Sequence, residues 1–115
     1  MKKKVKENDF ARHLSYFLSK YLPGQMNASS NTVISYRDTF KIFLNYCRTE
    51  KNLKPELIQM ETVKKELIVD FLAWLEIERE CSISTRNQRL AAIHAFFGYV
   101  QKESPENLFA SCRFV

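Results

Sequence analysis

Hydrogen-bonding and cationic side chains gather at two places in the chain, each near the start of a segment with helical apolar spacing. The earlier group is Thr32, Ser35, Arg37 and Lys41, and the later group is Ser84, Thr85, Gln88 and Arg89. Hydroxyl and amide groups bond to base edges and cations neutralise phosphates, so these residue types suit the recognition of a polyanion. The same residues would equally form a hydrated surface without a partner, and their pattern leaves both interpretations open.

Side chains for catalysis or metal binding are not grouped in this way. His13 and His94 are too isolated to form a metal site, so we expect structural roles for both. Cys47, Cys81 and Cys112 contain no C-x-x-C pair, which favours reduced thiols over zinc or redox chemistry. No cluster of arginines surrounds any tyrosine in the sequence. We therefore predict no catalytic residue, no metal and no cofactor in this chain.

The composition is typical of a single helical domain with an affinity for anions. The 115 residues are 45% hydrophobic and include only two Gly and three Pro, and an excess of Lys and Arg over Asp and Glu gives a net charge of +5. This excess favours polyanions without identifying one. No apolar run approaches the roughly twenty residues that cross a bilayer, and the basic opening Met1–Lys4 leads into polar residues. The sequence therefore predicts a cytoplasmic protein without membrane contact.

The spacing of apolar residues predicts four helices and no strand. The helices cover about residues 8 or 9–21, 31–51, 62–80 and 85–102. Pro23-Gly24 is predicted to end the first helix, and Pro55 disfavours helix in the connection before the third. Thr62 is the predicted N-cap of the third helix, and Ser82 and Ser84 offer capping oxygens to the fourth. The predicted fold class is all-α, with four helices around one core.

An advance of about 100° per residue places small and polar side chains opposite the apolar side of the fourth helix. They are Ser84, Thr85, Gln88, Ala91, Ala92 and Ala95, with Arg89 on the flank. A helix that enters a major groove needs donors and acceptors near one end and small residues where its backbone approaches DNA. Alanine is also a strong helix former, so this face is explained equally well without DNA. Arg86 falls on the core side, where its stem is expected to cover the core edge.

The second helix carries a similar pattern of polar and basic residues. Arg37, Lys41 and Arg48 line one flank of its apolar stripe, at a spacing suited to successive phosphates. Thr32 and Ser35, in its first turns, could bond to base edges or to the DNA backbone. Contact with about five phosphates would make the logarithm of affinity fall against log salt with a slope of roughly 4 to 5. A basic rim without a partner is the alternative.

Three stretches taken in order carry a family resemblance. They are Thr32-Val-Ile-Ser-Tyr-Arg-Asp-Thr-Phe-Lys-Ile-Phe-Leu44, Ile68-Val-Asp-Phe-Leu-Ala-Trp-Leu75 and Ser84-Thr-Arg-Asn-Gln-Arg-Leu-Ala-Ala-Ile-His-Ala-Phe-Phe97. In order and spacing they resemble the core-binding domain of tyrosine recombinases, the N-terminal SAM-like domain of phage integrases. The resemblance extends from about Phe10 to Val100. Arg86 departs from it, because the family usually has an aliphatic residue there.

This resemblance implies a four-helix SAM-like bundle of two crossed helical hairpins, whose second and fourth helices face the major groove of a recombination site. It implies DNA contact by residues of both helices, namely Thr32, Ser35, Ser84, Thr85, Gln88 and Arg89. Residues 1–103 would then form the DNA-binding domain, and 104–115 a linker toward an absent C-terminal catalytic domain. The partner would be double-stranded DNA.

Strand cleavage by this chain is not expected. The family's catalytic His-x-x-Arg element is absent, because Tyr16 and Phe97 stand three places after His13 and His94. The resemblance implies that the full-length protein closes a C-shaped clamp around DNA and assembles a tetramer on two sites, whereas the fragment is expected to be monomeric.

Two other functions stay open at this level. A helical protein-interaction domain without nucleic-acid binding would be favoured by an exposed apolar patch that includes Phe109 and Phe114. A helix-turn-helix regulator is less favoured, because the predicted fourth helix is long and follows a long third helix.

Overall fold

The chain folds into four helices in a computed structural model that describes residues 9–103. The helices are α1 (Asp9–Tyr16), continued by a π-helix over Phe17–Gln25, then α2 (Ser30–Glu50), α3 (Lys65–Ile77) and α4 (Ile83–Glu103). Two 3₁₀ turns, Pro55–Leu57 and Met60–Thr62, connect α2 to α3. No strand occurs between residues 9 and 103, and the predicted all-α, four-helix fold class is confirmed. The predicted linker, with Phe109 and Phe114, lies outside the described residues.

One core joins all four helices. The π-helical continuation of α1 packs on α2, α3 packs on α4, and α2 also packs against α4. Phe96 lies fully buried at the centre, and its ring centroid is 5.3–5.5 Å from those of Phe10, Phe17 and Phe40. Those three rings come from α1, its continuation and α2. The Phe96 side chain therefore joins α4 to all three of these segments.

The first helix extends beyond its predicted end. The prediction that Pro23-Gly24 ends it is wrong, because the chain continues as a π-helix to Gln25 and contains Pro23. In this wider winding, Met26 donates its backbone N–H to the carbonyl of Tyr21, five residues back, at 2.9 Å. A proline in an α-helix clashes with the carbonyl four residues earlier. The change of winding carries the helix past Pro23.

The third helix is shorter at both ends than predicted. Thr62 is not its N-cap: Thr62 belongs to a 3₁₀ turn, the N-cap is Lys64, and the helix ends at Ile77 instead of Glu80. The connection is held against the core, because Met60 and Val63 are buried and the Asp9 carboxylate accepts the backbone N–H of Met60 at 2.8 Å. These contacts hold the connection in place up to Val63, and α-helical winding begins only at Lys65.

Three helical segments end in the same backbone conformation. Asn27, Asn52 and Glu80 have φ values of 51°, 56° and 51°. In each case the next residue donates its N–H to a carbonyl six residues earlier, at 2.8 Å for Ala28, 2.9 Å for Leu53 and 3.1 Å for Cys81. The left-handed region is tolerated by asparagine but disfavoured for a residue such as glutamate. The end of α3 therefore holds strain at Glu80.

Glu80→Gly is expected to raise the free energy of unfolding by about 1 kcal/mol, because glycine adopts a positive φ without the Cβ penalty. Urea unfolding followed by circular dichroism measures the change. Glu78→Gly is the matched control: Glu78 has a φ of −86°, so glycine relieves nothing there and only adds chain entropy to the unfolded state. Equal stabilities for the two variants would contradict the assignment of strain to Glu80.

Candidate nucleic-acid interface

The helices α2 and α4 begin with the same capping arrangement. The Ser29 Oγ accepts the backbone N–H of Thr32 at 3.1 Å, and the Ser82 Oγ accepts that of Thr85 at 3.1 Å. Each serine hydroxyl also donates to the threonine hydroxyl, at 3.0 Å and 3.2 Å. The predicted capping role of Ser82 is confirmed. Thr32 and Thr85 thus stabilise helix starts, whatever else they contact.

At the start of α4, the predicted site residues differ in their exposure. Ser84 and Gln88 are exposed, whereas Thr85 and Arg89 are half-buried. Within residues 9–103, no partner holds the side chain of Ser84 or Gln88. Among the predicted site residues of α4, these two are therefore the most available to a ligand.

The predicted exposed face of α4 was wrong at Ala92, which is fully buried at 0% exposure. The buried side of α4 holds Ile93, Phe97 and Val100 and also the rings of Phe96 and Tyr99. Those two rings widen the buried arc toward Ala92. The centre of this arc falls near Arg89, which explains why that residue is half-buried rather than exposed.

Arg89 connects α4 to α2 through a residue that the sequence analysis missed. Its Nη1 donates to the Thr39 Oγ1 at 3.1 Å, and Thr39 is only 1% exposed. The Arg89 Nε is buried and has no hydrogen-bond partner in the structure. The available signal was a polar residue at an apolar position of α2, since Thr39 lies four residues before Phe43 and therefore on the same face of the helix.

The predicted residues of α2 fall on two different sides of that helix. At about 100° per residue, Arg37 lies about 160° from Ser35, and Lys41 lies about 180° from Thr32. Thr32 lines a groove together with residues of α4, whereas Arg37 lines another groove with Pro23. Thr32 and Ser35 therefore lie toward α4, while the two cations lie on the far flank.

The exposed arc of α2 between these two sides is occupied by Ile34 and Asp38. Arg37, Lys41 and the neighbouring Arg48 are exposed, and within residues 9–103 none forms an ion pair. An aspartate in the middle of the arc opposes phosphate contact there. Only side chains at the two edges of the arc are suited to a DNA backbone.

The antiparallel passage of α2 and α4 puts the starts of these two helices at opposite ends of the boundary between them. Arg89 meets Thr39 near the middle of α2, and Lys102, in the last turn of α4, lines a groove of about 470 Å³ together with Thr32. At 1.5 Å per residue, Thr32 lies about 10 Å from Thr39 along α2, and Thr85 lies about 6 Å from Arg89 in the opposite sense. The two helix starts are thus on the order of 16 Å apart along the bundle.

Arg86 supports the fold. Its Nε pairs with the Glu76 carboxylate of α3 at 2.5 Å, and its Nη1 donates to the Asn87 Oδ1 at 2.7 Å. The side chain is 31% exposed, so its stem covers part of the boundary between α3 and α4. This arrangement fits the interpretation that Arg86 packs rather than binds a ligand.

The net charge is distributed unevenly. Four lysines and one glutamate lie among the first eight residues and supply three of the five net positive charges. In the part of the chain that the structure describes, Lys51 pairs with Asp70 at 2.9 Å, which neutralises one further cation. Net charge alone therefore says little about which face of the bundle attracts a polyanion.

Burial changes the acidity of one thiol and two phenols of the core. Burial raises the pKa of the Cys47 thiol to about 11, and it also raises the pKa of the Tyr46 and Tyr99 phenols. His13 is buried with its ring edge against Tyr99.

Among residues 9–103, no group of three or more His, Cys, Asp or Glu side chains is placed to hold a metal ion. No helix in this range is both long enough and apolar enough to cross a bilayer.

Fold and helix packing together define a class of protein: an all-helical domain in which α2 and α4 pack against each other around one core. Residues 15–104 match the family described as phage integrase, N-terminal SAM-like domain. The chain belongs to this family, and the resemblance inferred from its motifs is confirmed.

Two relatives from Sinorhizobium fredii extend this finding. They are y4rC and y4rD, each named a "Putative integrase/recombinase", and the chain is 40% identical to both, over 93 and 91 residues. The matches cover 81% and 79% of this chain but only 28% and 32% of the relatives. The chain thus spans less than one third of the length of these relatives. No solved structure matches it with statistical significance.

Proposed function

We propose that this chain is the DNA-binding module of a site-specific tyrosine recombinase and that α2 and α4 contact the duplex of the recombination site. Family membership supports the recombination role. The observation that carries the interface is the exposure of Ser84 and Gln88 at the start of α4, on the helix that Arg89 joins to α2.

In this arrangement the start of α4 enters the major groove. The Gln88 amide has the donor and acceptor that read an adenine edge, and the Ser84 hydroxyl bonds to bases or phosphates. Ala91, one turn further on, is exposed and small, so the helix backbone approaches the duplex closely. Thr32 and Ser35 contact the DNA backbone at the other end of the surface, and Arg37 and Lys41 contribute phosphate contacts from the far flank of α2.

Within the full-length recombinase, this module would form one half of a clamp around the duplex. Strand cleavage and tetramer assembly on two sites would depend on the further domain, and this chain alone would hold DNA as a monomer without cutting it. Light scattering of the isolated chain and a nicking assay on supercoiled DNA test these two expectations.

Gln88→Ala is expected to weaken binding to a preferred duplex about tenfold, because a bidentate base contact is worth about 1–3 kcal/mol. The duplex is obtained by selecting a random-sequence pool on the wild-type chain, and affinity is measured by fluorescence anisotropy at low salt. The variant should also lose discrimination at one base position while its salt slope stays constant.

Gln101→Ala is the matched control, since Gln101 is an exposed residue of the same type in the last turns of the same helix. It should bind like the wild type. Wild-type affinity and sequence preference for Gln88→Ala, together with weaker binding by Gln101→Ala, would place the interface elsewhere. If the wild type binds no duplex at low salt, the proposed DNA binding is refuted.

A helical protein-interaction domain is the second candidate, and exposed apolar side chains around the α3–α4 turn favour it. Ile77 is 71%, Ile83 69% and Val69 52% exposed. These residues form the docking surface in that case. Duplex DNA would then leave the amide NMR signals of Ser84 and Gln88 unchanged.

A further inference from the structure

Arg89 is a half-buried cation that no carboxylate of residues 9–103 neutralises. Its Nη1 bonds to the Thr39 hydroxyl, and its Nε is enclosed by protein. A guanidinium in such a position loses hydrogen bonds to water, and few protein groups replace them here. The loss of a remaining hydrogen bond therefore costs more free energy than it would at the surface. The geometry directs at least two of its nitrogen atoms inward, toward α2 and the core.

The Thr39 hydroxyl relays this contact to the first turns of α2. It accepts from Arg89 and donates its own proton to the backbone carbonyl of Ser35 at 3.1 Å. Because Thr39 is 1% exposed, it has no access to a ligand. Arg89, Thr39 and Ser35 therefore form a continuous hydrogen-bonded path from the start of α4 to a predicted DNA-contacting turn of α2.

We propose that Arg89 is a positioning residue of the DNA interface: through Thr39 it fixes the rotation and spacing of α2 against α4, so that Ser35 and Gln88 meet one duplex together. This inference rests on the proposed function, and it assigns Arg89 a role different from phosphate binding. The half-burial of Arg89 contrasts with Arg37, which is exposed on the far flank.

The test uses Thr39→Val, which keeps the shape of the side chain but removes the hydroxyl, and Thr39→Ser, which restores the hydroxyl. Thr39→Val is expected to weaken binding to the selected duplex about tenfold, and Thr39→Ser to bind like the wild type. Arg89→Gln should weaken binding similarly without changing the salt slope. The double variant should bind no more weakly than the weaker single variant, because both changes break one path.

A direct phosphate contact gives a different pattern. Arg89→Gln would then lower the salt slope by about 0.9, and Thr39→Val would bind like the wild type, which overturns the proposal. A purely structural role is also distinguishable, because it lowers the unfolding midpoint of Thr39→Val but leaves its affinity intact at temperatures where the variant is folded. That outcome overturns the proposal as well.

The connection itself is measurable without DNA. In Arg89→Gln, the carbonyl ¹³C signal of Ser35 should shift. The Thr39 hydroxyl donates to this carbonyl, and in the variant it no longer accepts a hydrogen bond from Arg89. An unchanged Ser35 signal would overturn the positioning role even if the domain binds DNA. If the wild type binds no duplex while the Ser35 signal still shifts in Arg89→Gln, the proposed function fails although the Arg89–Thr39–Ser35 connection is present, so the two failures remain distinguishable.

Discussion

Replacement of Phe96 by alanine should lower the free energy of unfolding by about 3–5 kcal/mol. Phe96 is fully buried, and its ring contacts those of Phe10, Phe17 and Phe40. Its removal leaves a cavity where α1, its π-helical continuation, α2 and α4 meet, and neighbouring rings from three segments cannot all collapse into it. Domains of this kind are commonly stable by about 5–15 kcal/mol, so the loss is a large share of the total.

Urea unfolding monitored by circular dichroism measures this loss, and Gly98→Ala is the control on the same helix. A Cβ at Gly98 meets no atom within 4 Å, so alanine should raise stability by about 0.5–1 kcal/mol through its higher helix propensity. A loss of less than about 1 kcal/mol for Phe96→Ala would show that the surrounding rings repack and that the helices are not joined through this residue.

Helical periodicity predicted the elements best where one clear stripe faces the core. The second helix was predicted at 31–51 and runs from Ser30 to Glu50, because its apolar residues and its capping serine lie in one uninterrupted segment. The first and third helices were misplaced at Pro23 and Thr62. In both places, interactions with other parts of the chain decide the backbone: π-helical winding carries the first helix past its proline, and contacts with Asp9 and the core hold the connection before the third.

The polar character of the two helix starts was also predictable, but their relation to each other was not. Sequence spacing gives the angle of a residue around its own helix and contains no information on how two helices are rotated against each other. The contact between Arg89 and Thr39 spans fifty residues. It explains why a cation assigned to an exposed flank is half-buried.

The second large effect concerns the salt dependence of DNA binding. The triple variant Arg37→Gln/Lys41→Gln/Arg48→Gln is expected to lower the slope of log affinity against log salt by about 2.7, since each lost phosphate contact removes about 0.9. Relative to 1 M salt, this corresponds at 0.1 M to an affinity loss of about 500-fold. The physical reason is that these three cations are exposed on one flank of α2 and form no ion pair within residues 9–103.

The matched control is Lys54→Gln/Lys64→Gln/Lys65→Gln, which removes the same charge from exposed positions in the connection and at the start of α3. Fluorescence anisotropy across a series of salt concentrations compares the two variants with the wild type. Because net charge falls equally, a larger change for the α2 variant locates phosphates along that flank. Equal slopes would mean that the duplex senses only overall charge, and that Ile34 and Asp38 mark the edge of the interface rather than its interior. In that event the duplex contacts the side of α2 that carries Thr32 and Ser35, together with the start of α4, and the three cations contribute only long-range attraction.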